Sequence, residues 1–262
     1  MVKKTHRTIM MLLGLGVAEG VVGGLLGIGG GALVVPALVF LVKLDQHRAH
    51  GTSLLAALLL AASGAVTYSV QGNVKWIPAL EIAAGGVCGA MLGARAAGAV
   101  KARALRRVFS LFIVVVGIRM ILGACGVEVE SHRASDLALT NGVFVGALVA
   151  VGVGVLTGFV SALLGVGGGM IMVPALVILL CTRQQLAQGI SLAAMLPTVF
   201  TGMLMHRGMG NVDFRVGGLV GTGAILGAFL GGTAAAGLST STLQLAFGAF
   251  LLIMAALMAL KK

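Results

Sequence analysis

The sequence predicts an all-α, polytopic membrane protein made of two inverted-topology repeats of about five apolar segments each, with short glycine-broken helices after GxGGG. Three observations carry this expectation. Only 10% of the 262 residues are charged and 59% are hydrophobic, whereas a soluble domain is roughly 25% charged. The apolar stretches run near the ~20 residues that cross a bilayer as a helix, not in the short alternating strands of a β-barrel. The chain also repeats itself. Residues 162–179, ALLGVGGGMIMVPALVIL, match residues 24–41, GLLGIGGGALVVPALVFL, at 12 of 18 positions with an offset of 138.

The same offset pairs Gly16 and Gly20 with Gly154 and Gly158, Gly51 and Ser53 with Gly189 and Ser191, and Gly72-Asn73-Val74 with Gly210-Asn211-Val212. No gap is needed, so the chain is an internal duplication. Its parts are a first repeat at 1–125, an extracytoplasmic linker at 126–139 and a second repeat at 140–262. The 42 glycines suit closely packed transmembrane helices.

The apolar segments follow in order at 8–25, 31–43, 50–70, 77–99 and 105–124, then 140–163, 169–181, 188–206, 215–237 and 241–260. The first follows Lys3, Lys4 and Arg7 and resembles a signal peptide. Its mate lies in the middle of the chain, so it reads as a retained helix. Basic residues then fix the orientation. Lys3, Lys4 and Arg7 place the N-terminus in the cytoplasm, and the loop with Lys101, Arg103, Arg106 and Arg107 returns there after four crossings. Glu128, Glu130 and Asp136 fall outside, Arg207 and Arg215 inside, and Lys261 and Lys262 inside. Five is an odd number, so the two copies enter the membrane from opposite sides. Inverted repeats are a common plan for secondary transporters, with the substrate near the midplane.

Gly27-Ile28-Gly29-Gly30-Gly31-Ala32 fits the G-x-G-x-x-A dinucleotide pattern, but that turn needs a strand before it and a βαβ unit around it. Here it lies between apolar segments, twice. The segments that follow, 31–43 and 169–181, reach roughly 20 Å as helix, short of the ~30 Å bilayer core. Short, glycine-interrupted segments at matching places in two halves point to a transporter site, and a helix starting at such a break offers free N–H groups to an anion. Gly27, Gly29, Gly30, Gly31 and Pro36, with Gly165, Gly167, Gly168, Gly169 and Pro174, are therefore candidate substrate-binding positions. The other reading is that these glycines only let helices pack closely.

Two GxGGGxxxxP segments half a chain apart, followed by AHGTS at 49–53 and AQGIS at 187–191, resemble the TauE/SafE family, the sulfite exporter or four-toluene-sulfonate uptake permease family. The resemblance spans nearly the whole chain. It implies movement of sulfite, organosulfonates or related sulfur anions across the cytoplasmic membrane. Ile190 stands where Thr52 has its repeat mate, so the two polar patches are not equivalent.

His50, Thr52, Ser53, Gln188 and Ser191 open the third and eighth segments and offer donors to sulfonate oxygens; helix capping would place Ser and Thr there equally well. Glu19 lies among apolar residues of the first segment. An intramembrane carboxylate marks a functional position by default, here the carrier of a coupling proton or a satisfied neutral group. Arg119 would neutralise an anion or pair with Glu19, or else extend to the outer interface.

The net charge of +11 sits in short loops and reads as topology rather than nucleic-acid binding. Cys88, Cys125 and Cys181 lack metal or disulfide spacing. Neither a Walker motif nor a metal-ligand cluster is evident, so no cofactor and no ATP-driven step is expected. The prediction is a non-enzymatic secondary transporter of small sulfur-containing anions, with the bilayer and the anion as partners and both termini cytoplasmic. One half would rock against the other. An anion channel of the same architecture is the alternative. An intramembrane enzyme would rest on His50 and Ser53 alone, three residues apart on a helix. One chain suffices for a pathway, and a homodimer through glycine-rich faces is a further option.

Overall fold

The computed structural model describes residues 6–96, 102–126, 143–164 and 168–260. These residues form ten helices and no strand: α1 (His6–Leu26), α2 (Gly31–Leu41), α3 (Gln46–Val70), α4 (Trp76–Ala96), α5 (Ala102–Ala124), α6 (Val143–Leu164), α7 (Gly169–Leu179), α8 (Gln184–Gly208), α9 (Phe214–Ala236) and α10 (Thr240–Leu260). Six of them, α1, α3, α4, α8, α9 and α10, are long and apolar enough to cross a membrane. Their outer faces carry apolar side chains such as Val70, Ile77 and Leu226, at 85%, 73% and 60% exposure. That surface suits hydrocarbon rather than water, and the protein is an all-α polytopic membrane protein.

Helices α3 and α8 begin four residues before the apolar segments that predict them. The extra turn is polar, so hydropathy hides it. Asp45 starts α3, its side chain accepting from the Arg48 amide at 3.0 Å, which satisfies one of the orphan donors of a helix start. Asp213 does the same for α9 through the Arg215 and Val216 amides.

The short helices α2 and α7 have 11 residues each, about 16 Å. Each is two residues shorter than the apolar run predicts. The reason is a left-handed residue at the same place in both repeats, Lys43 with φ 58° and Cys181 with φ 48°. Beyond them the amides of Leu44 and Thr182 turn back to the carbonyls of Leu38 and Leu176, each at 3.3 Å, and close the helix end.

The long helices pack in crossed pairs. Helix α1 lies against α9, α4 against α6, α3 against α8, and α5 against α10. The first two seams are repeat mates of one another, and their glycines show it. A Cβ added to Gly16 would fall on the Val220 carbonyl oxygen, and one on Gly154 would fall on that of Ile82. Likewise Gly20 meets the Ala224 carbonyl and Gly158 that of Gly86. Every one of these pairs maps onto the other by the offset of 138. Backbone touches backbone along both seams, the close approach that small residues give membrane helices.

Candidate functional site

Gly30 precedes α2 and Gly168 precedes α7, and neither helix start carries a side-chain cap. Gly29, Gly31 and Gly168 border a cavity of about 510 Å³. Its walls come from α3, α4, α6 and α8, so both repeats contribute. Thr157 and Ser161 on α6, and Thr198 on α8, bring hydroxyls; His47 and His50 on α3 and His206 on α8 bring imidazoles. Among the described residues that line it none is acidic. Thr157 and Thr198 give their hydroxyl protons to the Gly154 and Met195 carbonyls, so the imidazoles are the principal donors facing the cavity. Imidazole donors without an opposing carboxylate suit a small oxyanion.

The sequence-predicted positions divide. Gly29, Gly31, His50, Ser53 and Gly168 line this cavity. Gly30 faces the other way, toward the Glu19 carboxyl, where a Cβ would collide with it. Glu19 is 1% exposed, and both its carboxyl oxygens lack a hydrogen-bond partner among the described residues. Gly27, at φ 70°, lies against Gln188, and Gly169 lies against the Gly27 carbonyl. Ser191 donates to that same Gly27 oxygen at 3.0 Å. Gln188 is buried and its Oε1 is 3.0 Å from the Tyr68 hydroxyl. Pro36 is on the outer face of α2, and Pro174 is buried within α7. Arg119 lies half-buried on α5, which packs on α10. Gly165 and Gly167 lie outside the described residues.

Thr52 is fully buried and its hydroxyl accepts from the Asp213 amide at 3.0 Å, tying α3 to the start of α9. Thr52→Val removes that acceptor and leaves a backbone donor unmatched. We expect a loss of about 1–2 kcal/mol, read as a lower thermal midpoint in detergent, with substrate affinity unchanged. A change confined to affinity would instead make Thr52 a ligand.

Sequence reading passed over His47 and His206. A histidine in the last turn of α8 beside Arg207 reads as a topology charge. The signal was its place at the repeat mate of Tyr68, the chain's single tyrosine.

A helical membrane protein whose broken segments border a mainly apolar cavity with a few polar groups, walled by helices of both repeats, belongs with the membrane transporters. The sequence profile described as Sulfite exporter TauE/SafE matches residues 2–120 and 150–262. The chain belongs to that family. It is similar to the probable membrane transporter protein YunE of Bacillus subtilis (strain 168), 26% identical over 250 residues that cover 90% of this chain and 92% of the relative. It is also similar to a probable membrane transporter protein of Haemophilus influenzae, 28% identical over 287 residues, 97% of this chain and 98% of the relative. A third, from Xylella fastidiosa (strain Temecula1), is 30% identical over 174 residues, 66% of this chain and 64% of the relative. No solved structure is a significant match.

Proposed function

We propose that the protein is a secondary transporter that moves small sulfur-containing anions, sulfite, thiosulfate or organosulfonates, across the cytoplasmic membrane by alternating access. The observation that carries this reading is the cavity of about 510 Å³ with three histidines and no acidic side chain among its described lining. Its size falls within the ~300–1,000 Å³ of small-molecule sites. The family description supports the sulfur oxyanion. The reciprocal glycine contacts support two repeats related by inversion, and the basic loops support cytoplasmic termini.

An inward-negative potential expels an anion, so export needs little further coupling. Import needs a cotransported cation, and Glu19, directly behind Gly30, is the proposed proton carrier. The test is uptake of labelled sulfite, thiosulfate and a small organosulfonate into proteoliposomes, with and without a pH gradient. Saturable uptake of one anion, with counterflow, is expected. Glu19→Gln should abolish stimulation by the gradient and leave counterflow near the unmodified level. Flux that rises linearly with concentration would make the protein a channel. No flux of any of the three anions from folded protein would remove the sulfur-anion assignment.

A further inference from the structure

Helices α3 and α8 cross antiparallel. Leu54 packs on Gly202 near one end of their seam, and Leu192 packs on Gly64 near the other. The two ends are repeat mates, but they are in opposite conditions. At one end Gln46, His50 and His206 line the cavity. Their mates at the other end, Gln184, Gln188 and Tyr68, are all 0% exposed. The Tyr68 hydroxyl lies 2.9 Å from the Gly24 carbonyl and 3.0 Å from Gln188 Oε1. It has one proton, so it holds one of the two at a time.

The shut end also concentrates polar atoms without partners among the described residues. They are both amide atoms of Gln184, Nε2 of Gln188, the Thr182 hydroxyl and the Glu19 carboxyl. Gln184 and Gln188 are one turn apart on the same face of α8. The broken segment connects this face to Glu19, since a Cβ on Gly27 would meet Gln188 and one on Gly30 would meet the Glu19 carboxyl. Glu19 is itself the mate of Thr157, which lines the open cavity. A buried polar atom left unpaired costs about 1–3 kcal/mol, and native folds keep few of them. A set gathered on one wall is accounted for if that wall is wet in another conformation.

We infer that the Tyr68 end is a latent second vestibule for the same class of small oxyanion, lined by Tyr68, Gln184 and Gln188 and backed by Glu19, with the Tyr68–Gln188 hydrogen bond as its latch. It opens as the His50–His206 end shuts. The phenol and amide groups supply neutral donors where the open end supplies imidazoles. This inference rests on the alternating-access reading above and gives that reading its second binding face.

Mated single cysteines test it. In a background with Cys88, Cys125 and Cys181 replaced by serine, Gln46→Cys and Gln184→Cys are treated with a membrane-impermeant thiol reagent applied to one face of the membrane at a time. Gln184 makes no hydrogen bond through its side chain among the described residues, so its replacement removes none of those seen. Gln46→Cys should react from one face and Gln184→Cys from the opposite face. Adding Tyr68→Phe should speed the Gln184→Cys reaction about fivefold, the population shift for one lost hydrogen bond, and slow that of Gln46→Cys. Labelling of both from the same face, or a Gln184→Cys rate indifferent to Tyr68→Phe, would overturn the inference. The labelling needs no substrate. Opposite-face labelling without anion uptake would remove the sulfur-anion assignment alone, while saturable uptake with a latch-insensitive Gln184→Cys would remove the vestibule alone.

Discussion

Gly154→Leu and Gly16→Leu are each expected to cut the yield of folded protein by at least about tenfold, a loss exceeding ~1.4 kcal/mol. The added Cβ at Gly154 falls on the Ile82 carbonyl oxygen and sits 2.9 Å from the Gly86 amide nitrogen. At Gly16 it falls on the Val220 carbonyl and sits 3.0 Å from the Ala224 amide nitrogen. These are backbone atoms of a helix whose own hydrogen bonds hold them in place. A flexible side chain could swing aside, but a carbonyl cannot. Overpacking a core already costs 1–3 kcal/mol when side chains can adjust, and here none is available to adjust. The measurement is the monodisperse peak on size-exclusion chromatography in mild detergent. The control is built into the same helices. Gly14 and Gly152 are also repeat mates, and a Cβ at either meets nothing within 4 Å among the described residues. Gly14→Leu and Gly152→Leu should keep the peak. Equal loss at Gly152 and Gly154 would show that seam geometry does not decide folding.

Gly30→Ala is expected to lower saturable uptake on the order of tenfold while the folded peak survives. The new methyl would occupy the place of the Glu19 carboxyl, so that side chain must leave its position behind the broken segment. Gly168→Ala, the same change at the repeat mate, should leave uptake near the unmodified level, because among the described residues the nearest atom is the Met172 Cε at 3.8 Å. The double change Gly30→Ala with Glu19→Ala relieves the clash. Restored stimulation by the pH gradient in that double variant would remove Glu19 from the coupling step, whereas counterflow that returns without stimulation would keep it there. Equal effects of Gly30→Ala and Gly168→Ala would mean that Glu19 is not the reason Gly30 is a glycine.

The helices were legible because hydrophobic run length and a gapless duplication both report on them directly. The positions of the short helices were legible for the same reason. Which helix touches which was not. Gly16 and Gly154 could be recognised as mates, but nothing in the chain states that each lies on the other repeat's third long helix. The polar candidates show a different difficulty. Thr52, Gln188 and Ser191 read equally well as ligands or as helix caps, because backbone groups take up the same hydrogen bonds as oxyanions. The structure gives Thr52 to the Asp213 amide, Ser191 to the Gly27 carbonyl and Gln188 to Tyr68. His50 and Ser53, from the same short stretch, do line the cavity. Residue type could not separate the two sets, and neither does burial, since Ser53 is itself buried and donates to the His50 carbonyl at 2.8 Å; only the place of each helix face against the cavity does.

The glycine seams also have a mechanical meaning. A contact made of carbonyl oxygens seated against Cα atoms is stiff, because sliding by a fraction of a turn drives one backbone into the other. The seam between α3 and α8 instead rests leucine side chains, Leu54 and Leu192, on glycines, and side chains can change rotamer at small cost. Deformation should therefore concentrate in the α3–α8 seam and spare α1–α9 and α4–α6. Each stiff seam joins a helix of the first repeat to a helix of the second. The bodies that move as units are then clamped pairs drawn from both copies, and the boundary between the repeats in sequence is not the boundary between moving parts.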